Sequence, residues 1–243
     1  MNTENSKLKL PDWLEKVAVF DTETTGLNLQ QSRIVTAALH IVTSQGEVLP
    51  DGKNWLINPG IPIPPDSSAV HGVYDKDVAD AQDAESGIAE IVSAIQELFD
   101  LGIPVVAYNA PYDFTILRNE ALRYGIEPLR FGAVIDPLVI DKTVDKYRKG
   151  KRTLISAADR YGVSLENAHT ATDDAIAAGH VGLAILRYFQ AQDKPVVPFP
   201  SSAEELHELQ VKWADEIEAS YAQWRKQERP DYEPQFGWPV KLS

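Results

Sequence analysis

Two acidic residues at the end of the first apolar run have an arrangement typical of cation binding. Asp21 and Glu23 are two positions apart in the segment FDTETTGL, and residues i and i+2 of a strand point to the same side. Two carboxylates on one side of a sheet repel each other unless a cation lies between them. A polar turn with solvated acids is the alternative, and this segment alone favours neither interpretation.

Another acidic residue, Asp113, follows the apolar segment PVVAY at residues 104–108. We predict a helix after this segment, with Asn109 as its N-cap and Pro111 in its first turn. A carboxylate in the first turn of a helix is stabilised by the helix dipole. Taken alone, Asp113 is therefore typical of a structural helix start.

The segment HTATDDA, at residues 169–175, carries a histidine and two further acids. Thr170 and Asp173 have the spacing of a capping box, which predicts that Asp173 belongs to a helix start. Asp174 is one position further around that helix and is expected to face another direction. His169 precedes the helix on a predicted loop, from which its ring can reach into a cleft.

Together these residues form a consistent chemical set. Asp21, Glu23, Asp113 and Asp174 come from predicted strand ends and helix starts, which is where open α/β sheets bind their ligands. Four carboxylates and one histidine supply the ligands for two hard cations and a general base. The combination therefore predicts a two-cation site with His169 as the base.

The elements that carry these residues alternate between strands and helices. Apolar runs predict strands at residues 17–21, 33–42, 53–58, 104–108 and 133–136, and four prolines predict an irregular loop at 58–66. Helical spacing and stop signals predict helices at 84–99, after 109 and through 124, at 153–161 and at 171–190. This alternation indicates an α/β fold with a partly parallel sheet.

Three motifs together resemble those of the DEDDh 3′–5′ exonucleases, the group of the bacterial DNA polymerase III epsilon proofreading subunit. FDTETTGL matches the family's opening signature, YNAPYDFTIL matches H-N-A-x-F-D-x-x-x-L, and HTATDDA matches H-x-A-x-x-D-A. Tyr108 and Tyr112 replace the family's His and Phe, and neither change removes an acidic residue. The resemblance covers residues 17–189 and implies a ribonuclease-H-like exonuclease fold, with a mixed, roughly five-stranded sheet flanked by helices.

The resemblance also implies the chemistry of the site. Asp21, Glu23, Asp113 and Asp174 would hold two divalent cations, Mg²⁺ or Mn²⁺, and His169 would take a proton from the attacking water. Histidine suits this role because its ordinary pKa of about 6.5 leaves it largely neutral at pH 7 to 8. The product would be a 5′-nucleoside monophosphate released from a 3′ end.

Further residues are implied to contact the nucleic acid. The terminal nucleotide would meet Thr24, Thr25, Gly26, Leu27, Asn109 and His71, the last within a segment, SAVHG, that resembles the family's x-x-[IV]-H-G. A cluster of basic residues just before the helix at 153–161 would contact the phosphate backbone: Lys146, Arg148, Lys149, Lys151 and Arg152. A solvated basic loop is the alternative for this cluster.

Composition excludes several classes of protein. The 243 residues are 44% hydrophobic and 24% charged, unlike a disordered or collagen-like chain. No membrane span is predicted, and the polar N-terminal residues predict no secretory signal. The chain contains no cysteine, which excludes disulfides and thiolate metal sites, and we expect a cytoplasmic protein. The net charge of −13 repels nucleic acid at long range, so binding would depend on bound cations and a local basic patch.

The C-terminal part of the chain has a different character. We predict an exonuclease domain at residues 1–190, a Pro-rich linker or strap at 191–202, and an amphipathic helix with a tail at 203–243. One helical stripe consists of Leu206, Leu209, Trp213, Ile217, Tyr221 and Trp224. So apolar a stripe is expected to dock on the main domain or on a partner. All five catalytic candidates precede it, so we expect no contribution to the active site from residues 203–243.

For the substrate we expect the 3′ end of single-stranded DNA or a frayed DNA end, with a polymerase or another replication protein as a partner. RNA-directed members share the motifs, so an exoribonuclease is one alternative. A haloacid-dehalogenase-type phosphatase is a second, because DTETT resembles its Asp-x-Asp-x-Thr loop, although Glu23 departs from that pattern and His169 has no role in it. A non-catalytic nucleic-acid-binding module is the third, and it would have no reason to keep five charged site residues together.

Overall fold

The computed structural model describes residues 8–164 and 170–242. Within them six strands form one sheet: β1 (Lys16–Thr24), β2 (Ile34–Thr43), β3 (Lys53–Asn58), β4 (Gln82–Asp83), β5 (Val105–Val106) and β6 (Val134–Ile135). The same residues form eight α-helices: α1 (Pro65–His71), α2 (Asp75–Val78), α3 (Ala84–Asp100), α4 (Pro111–Arg123), α5 (Pro137–Val144), α6 (Leu154–Tyr161), α7 (Ala171–Gln190) and α8 (Ala203–Arg225).

The sheet is mixed, which confirms the predicted α/β class. Its order is β4-β3-β2-β1-β5-β6. The pairs β1–β2 and β2–β3 are antiparallel, whereas β1–β5, β5–β6 and β3–β4 are parallel. The sheet has six strands rather than about five because Gln82 and Asp83 pair with the end of β3. A two-residue strand is too short to produce a recognisable period in the sequence.

Strand β1 lies in the middle of the sheet and carries the first two acids out of the core. Residues 17–20 are fully buried, as expected for a strand covered on both faces. Helix α7 crosses this strand closely, since a Cβ on Gly179 would lie 2.4 Å from Val19 Cγ1. This close approach requires glycine and brings the two elements that carry Asp21 and Asp174 together.

The predicted elements agree with the structure to within a few residues. β3 and α7 have the predicted bounds, and α3 and α6 differ from prediction by one residue. Helix α6 is followed by Gly162 as its C-cap, and the φ of this residue, 70°, lies in the left-handed region that favours glycine. Helices α1 and α2 were not predicted, because segments of seven and four residues contain too few turns to show helical spacing. The eight-residue helix α5 was not predicted either.

The start of α4 differs from the prediction. Ala110 rather than Asn109 is the N-cap, and Asn109 has a left-handed φ of 64°. The cause is Asp136, whose carboxylate accepts the backbone N–H groups of Asn109 and Ala110, each at 3.0 Å. Pro111 begins the helix as predicted, so Asp113 lies in its first turn.

Helix α8 packs against α5 and the outer strand β6. Leu206 and Trp213 are buried, whereas Tyr221 and Trp224 at the other end of the helix are exposed. Gln210 and His207 satisfy the backbone of β6: Gln210 Nε2 donates to Val134 O at 2.9 Å, and His207 Nδ1 accepts from Val134 N at 3.0 Å. The helix therefore covers a sheet edge that would otherwise expose unpaired backbone groups. Across the described ranges, no helix combines the length and the apolar character needed to cross a membrane.

Candidate active site

Three of the predicted acids meet where β1 ends and α7 begins. Carboxylate oxygens of Asp21, Glu23 and Asp174 all lie within 4.8 Å of one another. Asp21 and Glu23 alternate along β1 with the buried residues Thr22 and Thr24, so the i, i+2 argument holds for their side chains. Three hard oxygen donors at this spacing fit a divalent cation such as Mg²⁺ or Mn²⁺.

Asp113 approaches the same end of β1 from α4. Its side chain is buried, and its Oδ1 accepts hydrogen bonds from Thr22 N at 3.0 Å and from Thr22 Oγ1 at 2.6 Å. Thr22 lies between Asp21 and Glu23 in the sequence, so this contact joins α4 to the strand that carries both acids. Sequence reasoning did not single out Thr22, because a buried strand threonine gives no signal of its own.

The electrostatics of the cluster favour an added positive charge. Burial raises the pKa of Asp21 well above its ordinary value, and the neighbouring carboxylates of Asp113, Glu23 and Asp174 raise it further. Burial and the charges of Asp174 and Asp113 raise the pKa of Glu23 to about 7. Such crowded carboxylates are costly in their ionised form unless a cation balances them. The donor set therefore fits a bound divalent cation.

Burial also raises the pKa of Asp113 to about 7, against the opposing effect of its two hydrogen bonds from Thr22. The charge of Asp113 contributes to the raised pKa of both Asp21 and Glu23. Asp113 is thus part of the same electrostatic cluster, although its oxygens are not among the three that converge most closely.

The start of α7 separates the roles of the two adjacent aspartates. Thr170 is the N-cap, and its Oγ1 accepts from Asp173 N at 3.1 Å, as the capping-box spacing predicts. Thr170 Oγ1 also donates to Asp173 Oδ2 at 2.9 Å. Asp174, one position on, is the residue that joins Asp21 and Glu23. The candidate base His169 lies outside the described residues, so its position stays a prediction.

Four of the predicted nucleotide contacts lie at the end of β1 and in the turn after it: Thr24, Thr25, Gly26 and Leu27. Thr24 and Thr25 are buried, whereas Leu27 is 86% exposed and projects from the turn. His71 is buried near the backbone of Thr24; burial lowers its pKa and the Thr24 backbone opposes that effect. Its Nδ1 accepts a hydrogen bond from Val73 N at 3.2 Å. Asn109 is exposed at the end of β5.

Gly26 takes part in hydrogen bonding through its backbone carbonyl. Its carbonyl oxygen accepts from Thr24 Oγ1 at 2.8 Å and from the Tyr112 hydroxyl at 2.9 Å. Tyr112 is one of the two departures from the family pattern, and the sequence did not indicate what its hydroxyl contacts. A tyrosine in place of an expected phenylalanine was the available signal.

The five basic residues predicted to contact a strand divide into two groups. The guanidinium groups of Arg148 and Arg152 both bind Asp141 Oδ2, and their side chains are only 11% and 15% exposed. Arg152 also donates to the backbone carbonyls of Asp141 and Asp145, so it organises the loop. Lys146, Lys149 and Lys151 are exposed, and the expected phosphate contact therefore depends on these three lysines.

Similarity to known proteins extends over most of the chain. The family model RNase_T, described as exonuclease, matches residues 18–181. A "DNA polymerase III subunit epsilon-like protein" of Rhodobacter capsulatus is 35% identical over 182 residues, which cover 72% of this chain and 24% of that protein. The chain thus spans about a quarter of this curated relative.

Two solved structures share the fold. One is described as exonuclease X in complex with 5′ overhanging duplex DNA; it covers 80% of this chain and 99% of its own, with a TM-score of 0.56 and 20% identity. The other is E. coli exonuclease I in complex with a dA16 oligonucleotide, which covers 74% of this chain and 41% of its own, with a TM-score of 0.58 and 16% identity. These likenesses confirm the predicted ribonuclease-H-like exonuclease fold.

Proposed function

The chain belongs to the exonuclease family described by RNase_T, and from that premise we propose that it is a metal-dependent 3′–5′ exonuclease of the DEDDh type. The observation that carries the proposal is the convergence of Asp21, Glu23 and Asp174 within 4.8 Å, with Asp113 hydrogen-bonded to the strand between the first two. A solvated polar turn would not bring acids from β1 and α7 together in this way.

The four acids would hold two divalent cations, Mg²⁺ or Mn²⁺. When bound, such cations supply Lewis-acid activation and balance negative charge on the phosphate. Asp21 would contact both, Glu23 and Asp174 would contact one, and Asp113 would support the other. The raised pKa of Glu23, about 7, supports this assignment: burial and the charges of Asp174 and Asp113 disfavour its ionised form, and a bound cation would stabilise that form.

The remaining chemistry falls to the residues of the chain. His169 would accept the proton of the attacking water, for which its neutral ring is required. Hydrolysis forms a bond from the water oxygen to phosphorus and breaks the bond from phosphorus to the 3′ oxygen. A 5′-nucleoside monophosphate leaves, and the 3′ oxygen of the shortened strand takes a proton from solvent to become the new 3′-hydroxyl. Thr24, Thr25, Gly26, Leu27, His71 and Asn109 would surround the departing nucleotide.

We further propose single-stranded DNA, or a frayed DNA end, as the substrate. Both structural neighbours are described as complexes with DNA, which supports this choice, and RNA is the alternative. A polymerase or another replication protein is the proposed partner, and proofreading the proposed role, because the relative from R. capsulatus is described as epsilon-like. The family match to residues 18–181 supports an exonuclease domain at residues 1–190, and we place the protein in the cytoplasm.

The test uses the full chain with 3′- and 5′-labelled DNA and RNA oligonucleotides, single- and double-stranded, in Mg²⁺ and in excess chelator. We expect stepwise loss of 3′ nucleotides from DNA in Mg²⁺ and no cleavage in chelator. Asp174→Asn should abolish cleavage, and the adjacent Asp173→Asn, which only alters a helix cap, is the matched control. Cleavage in chelator, or release of free phosphate without chain shortening, would contradict the proposal, the latter in favour of a phosphatase.

A further inference from the structure

The Tyr112 hydroxyl joins the turn after β1 to the first turn of α4. It lies 2.9 Å from Gly26 O and 2.6 Å from Thr24 Oγ1, and Thr24 Oγ1 itself lies 2.8 Å from Gly26 O. The three oxygens share two hydroxyl protons, so two of these contacts are hydrogen bonds at one time, and the Tyr112 hydroxyl takes part in at least one of them in every arrangement. Thr24 is buried and Tyr112 half-buried, so water does not easily replace the contacts.

The two segments that meet at this tyrosine are both parts of the proposed site. Tyr112 directly precedes Asp113, whose carboxylate is bonded to Thr22. Gly26 directly precedes Leu27, which is 86% exposed and has little packing of its own. An exposed leucine in a turn is held in place only by the backbone that carries it, so the bonds to that backbone determine where Leu27 lies.

The far end of the same loop is anchored to α4 as well. Asn119 Nδ2, on α4, donates to Leu29 O at 2.8 Å. The two ends of the loop are also joined to each other: Thr25 N donates to Arg33 O, and Arg33 N donates to Thr25 Oγ1, both at 2.9 Å. Leu27 therefore lies between two attachments, of which Tyr112 supplies the one nearer the acids. A phenylalanine at position 112 would keep the ring and remove only this attachment.

We propose that Tyr112 is a positioning residue that couples the nucleotide-contacting loop at residues 24–32 to the helix carrying Asp113. The expected effect on KM rests on the proposed function. The expected effect on the mobility of the loop rests on the hydrogen bonds alone. The hydroxyl would hold Leu27 in its binding position before the substrate arrives. Without the hydroxyl, the loop would become ordered only on binding, and this ordering would reduce the free energy of binding to the nucleotide.

Tyr112→Phe tests the proposal, with Tyr108→Phe as the matched control. The Tyr108 hydroxyl also makes one bond to backbone, donating to Arg152 O at 2.8 Å, but it does not contact the loop at 24–32. We expect Tyr112→Phe to raise the KM for a short DNA oligonucleotide about three- to tenfold, the range given by the loss of one net hydrogen bond. The value of kcat should stay within about twofold. Inhibition by a nucleoside 5′-monophosphate should weaken by the same factor as KM.

Hydrogen–deuterium exchange of the full chain supplies a measurement that does not need activity. The peptide covering residues 24–32 should exchange faster in Tyr112→Phe than in the wild type, and at the wild-type rate in Tyr108→Phe. Unchanged exchange and unchanged KM in a folded Tyr112→Phe variant would overturn the proposal. A uniform fall in protection across the whole chain would also overturn it, because that result describes a general structural role. If the wild type cleaves no oligonucleotide but the local change in exchange is present, the proposed function fails and the coupling remains.

Discussion

The indole Nε1 of Trp238 donates a hydrogen bond to Asp136 Oδ2 at 3.2 Å. The same carboxylate accepts the backbone N–H groups of Asn109, Ala110 and Leu138. Asp136 is buried and holds the left-handed residue Asn109 before the start of α4, four residues before Asp113. Through Trp238, the C-terminal segment therefore contacts the residue that fixes the start of the helix carrying Asp113, a proposed metal ligand. This segment lies beyond the residues matched by the family model.

A second contact strengthens this relationship. Lys241 N donates to Thr115 Oγ1 at 2.9 Å, so the tail contacts α4 on the other side of Asp113 in the sequence. We therefore expect residues 203–242 to affect the active site indirectly. The sequence alone had predicted no contribution from this segment. A chain ending near residue 189 would also leave the backbone of β6 without the bonds from His207 and Gln210.

Trp238→Phe should lower both stability and activity. The change removes one donor from a buried carboxylate, which costs about 1.5–3 kcal/mol when the acceptor is charged. Thermal melting should show the loss, and kcat should fall while the Kd for nucleoside monophosphate changes little. Trp224→Phe is the matched control, because Trp224 is 51% exposed at the end of α8. Equal effects of the two substitutions would show that the bond to Asp136 has no special role.

His169→Ala should leave the fold and metal binding intact while lowering the cleavage rate about 10²–10⁴-fold, the usual contribution of a general base. The expectation depends on the sequence position of His169, five residues before Asp174. The measurement is the single-turnover rate of oligonucleotide cleavage between pH 6 and 9. A rate and pH profile equal to the wild type would remove His169 from the mechanism.

The basic loop should contain two functionally different groups of residues. Lys149→Gln and Lys151→Gln should weaken strand binding and lower the salt dependence of log Kd by about 0.7 per lost phosphate contact on a single strand. Arg152→Gln should instead destabilise the fold, but by less than the about 3–5 kcal/mol of an unpaired buried charge, because Asp141 loses one ion-pair partner and keeps Arg148. Fluorescence anisotropy at several salt concentrations and thermal melting separate the two effects. An unchanged salt slope in both lysine variants would indicate a solvated loop.

The sequence predicted most of this architecture because its signals are local. The continuous apolar run of β1, the helical spacing of α3 and the Thr170 cap of α7 each depend on neighbouring residues. Partners that are distant in the sequence were not predictable in this way. Nothing near Asp113 in the sequence indicates that it accepts hydrogen bonds from Thr22. Nothing near Asn109 indicates that Asp136, rather than Asn109, determines how α4 starts. The basic loop shows the same limit, since only the fold pairs Arg148 and Arg152 with Asp141.

Metal-free protein should become less stable as the pH rises, through Glu23 in particular. Its pKa in the folded state is about 7 and its ordinary value is 4.5, so the folded state binds the proton more tightly than the unfolded chain. The stabilisation from that proton is complete below about pH 4.5 and is lost as the pH rises to about 7. A tenfold difference in proton affinity between the two states corresponds to about 1.4 kcal/mol of unfolding free energy.

Glu23→Gln tests this dependence, because glutamine resembles the protonated acid at every pH. In chelator, the variant should melt close to the wild type near pH 5 and above it at pH 8. Thermal melting of both proteins across this range is the measurement. A constant difference between the two melting temperatures would contradict the raised pKa of Glu23.

Asp21→Asn should abolish catalysis yet stabilise the protein in the absence of metal. Asp21 lies at the centre of the acids: burial raises its pKa most, and Asp113, Glu23 and Asp174 each add to the effect. In the unfolded chain these charges are far apart, whereas folding without metal brings them together. Two like charges about 4 Å apart cost on the order of a few kcal/mol at an effective dielectric constant near 20, and less in salt. Asparagine has nearly the same shape and removes one of the charges.

With metal present the order of the two proteins should reverse. A ligand that binds only the folded state stabilises it by RT ln(1 + [L]/Kd), about 2.7 kcal/mol at a hundredfold excess over Kd, and the variant would lose most of this gain. The measurement is thermal melting of both proteins in chelator and in millimolar Mn²⁺. Wild type should melt below Asp21→Asn in chelator and above it in Mn²⁺. If Mn²⁺ does not shift the wild type and Asp21→Asn lowers the melting temperature in chelator, Asp21 is a structural residue and the two-cation site does not exist.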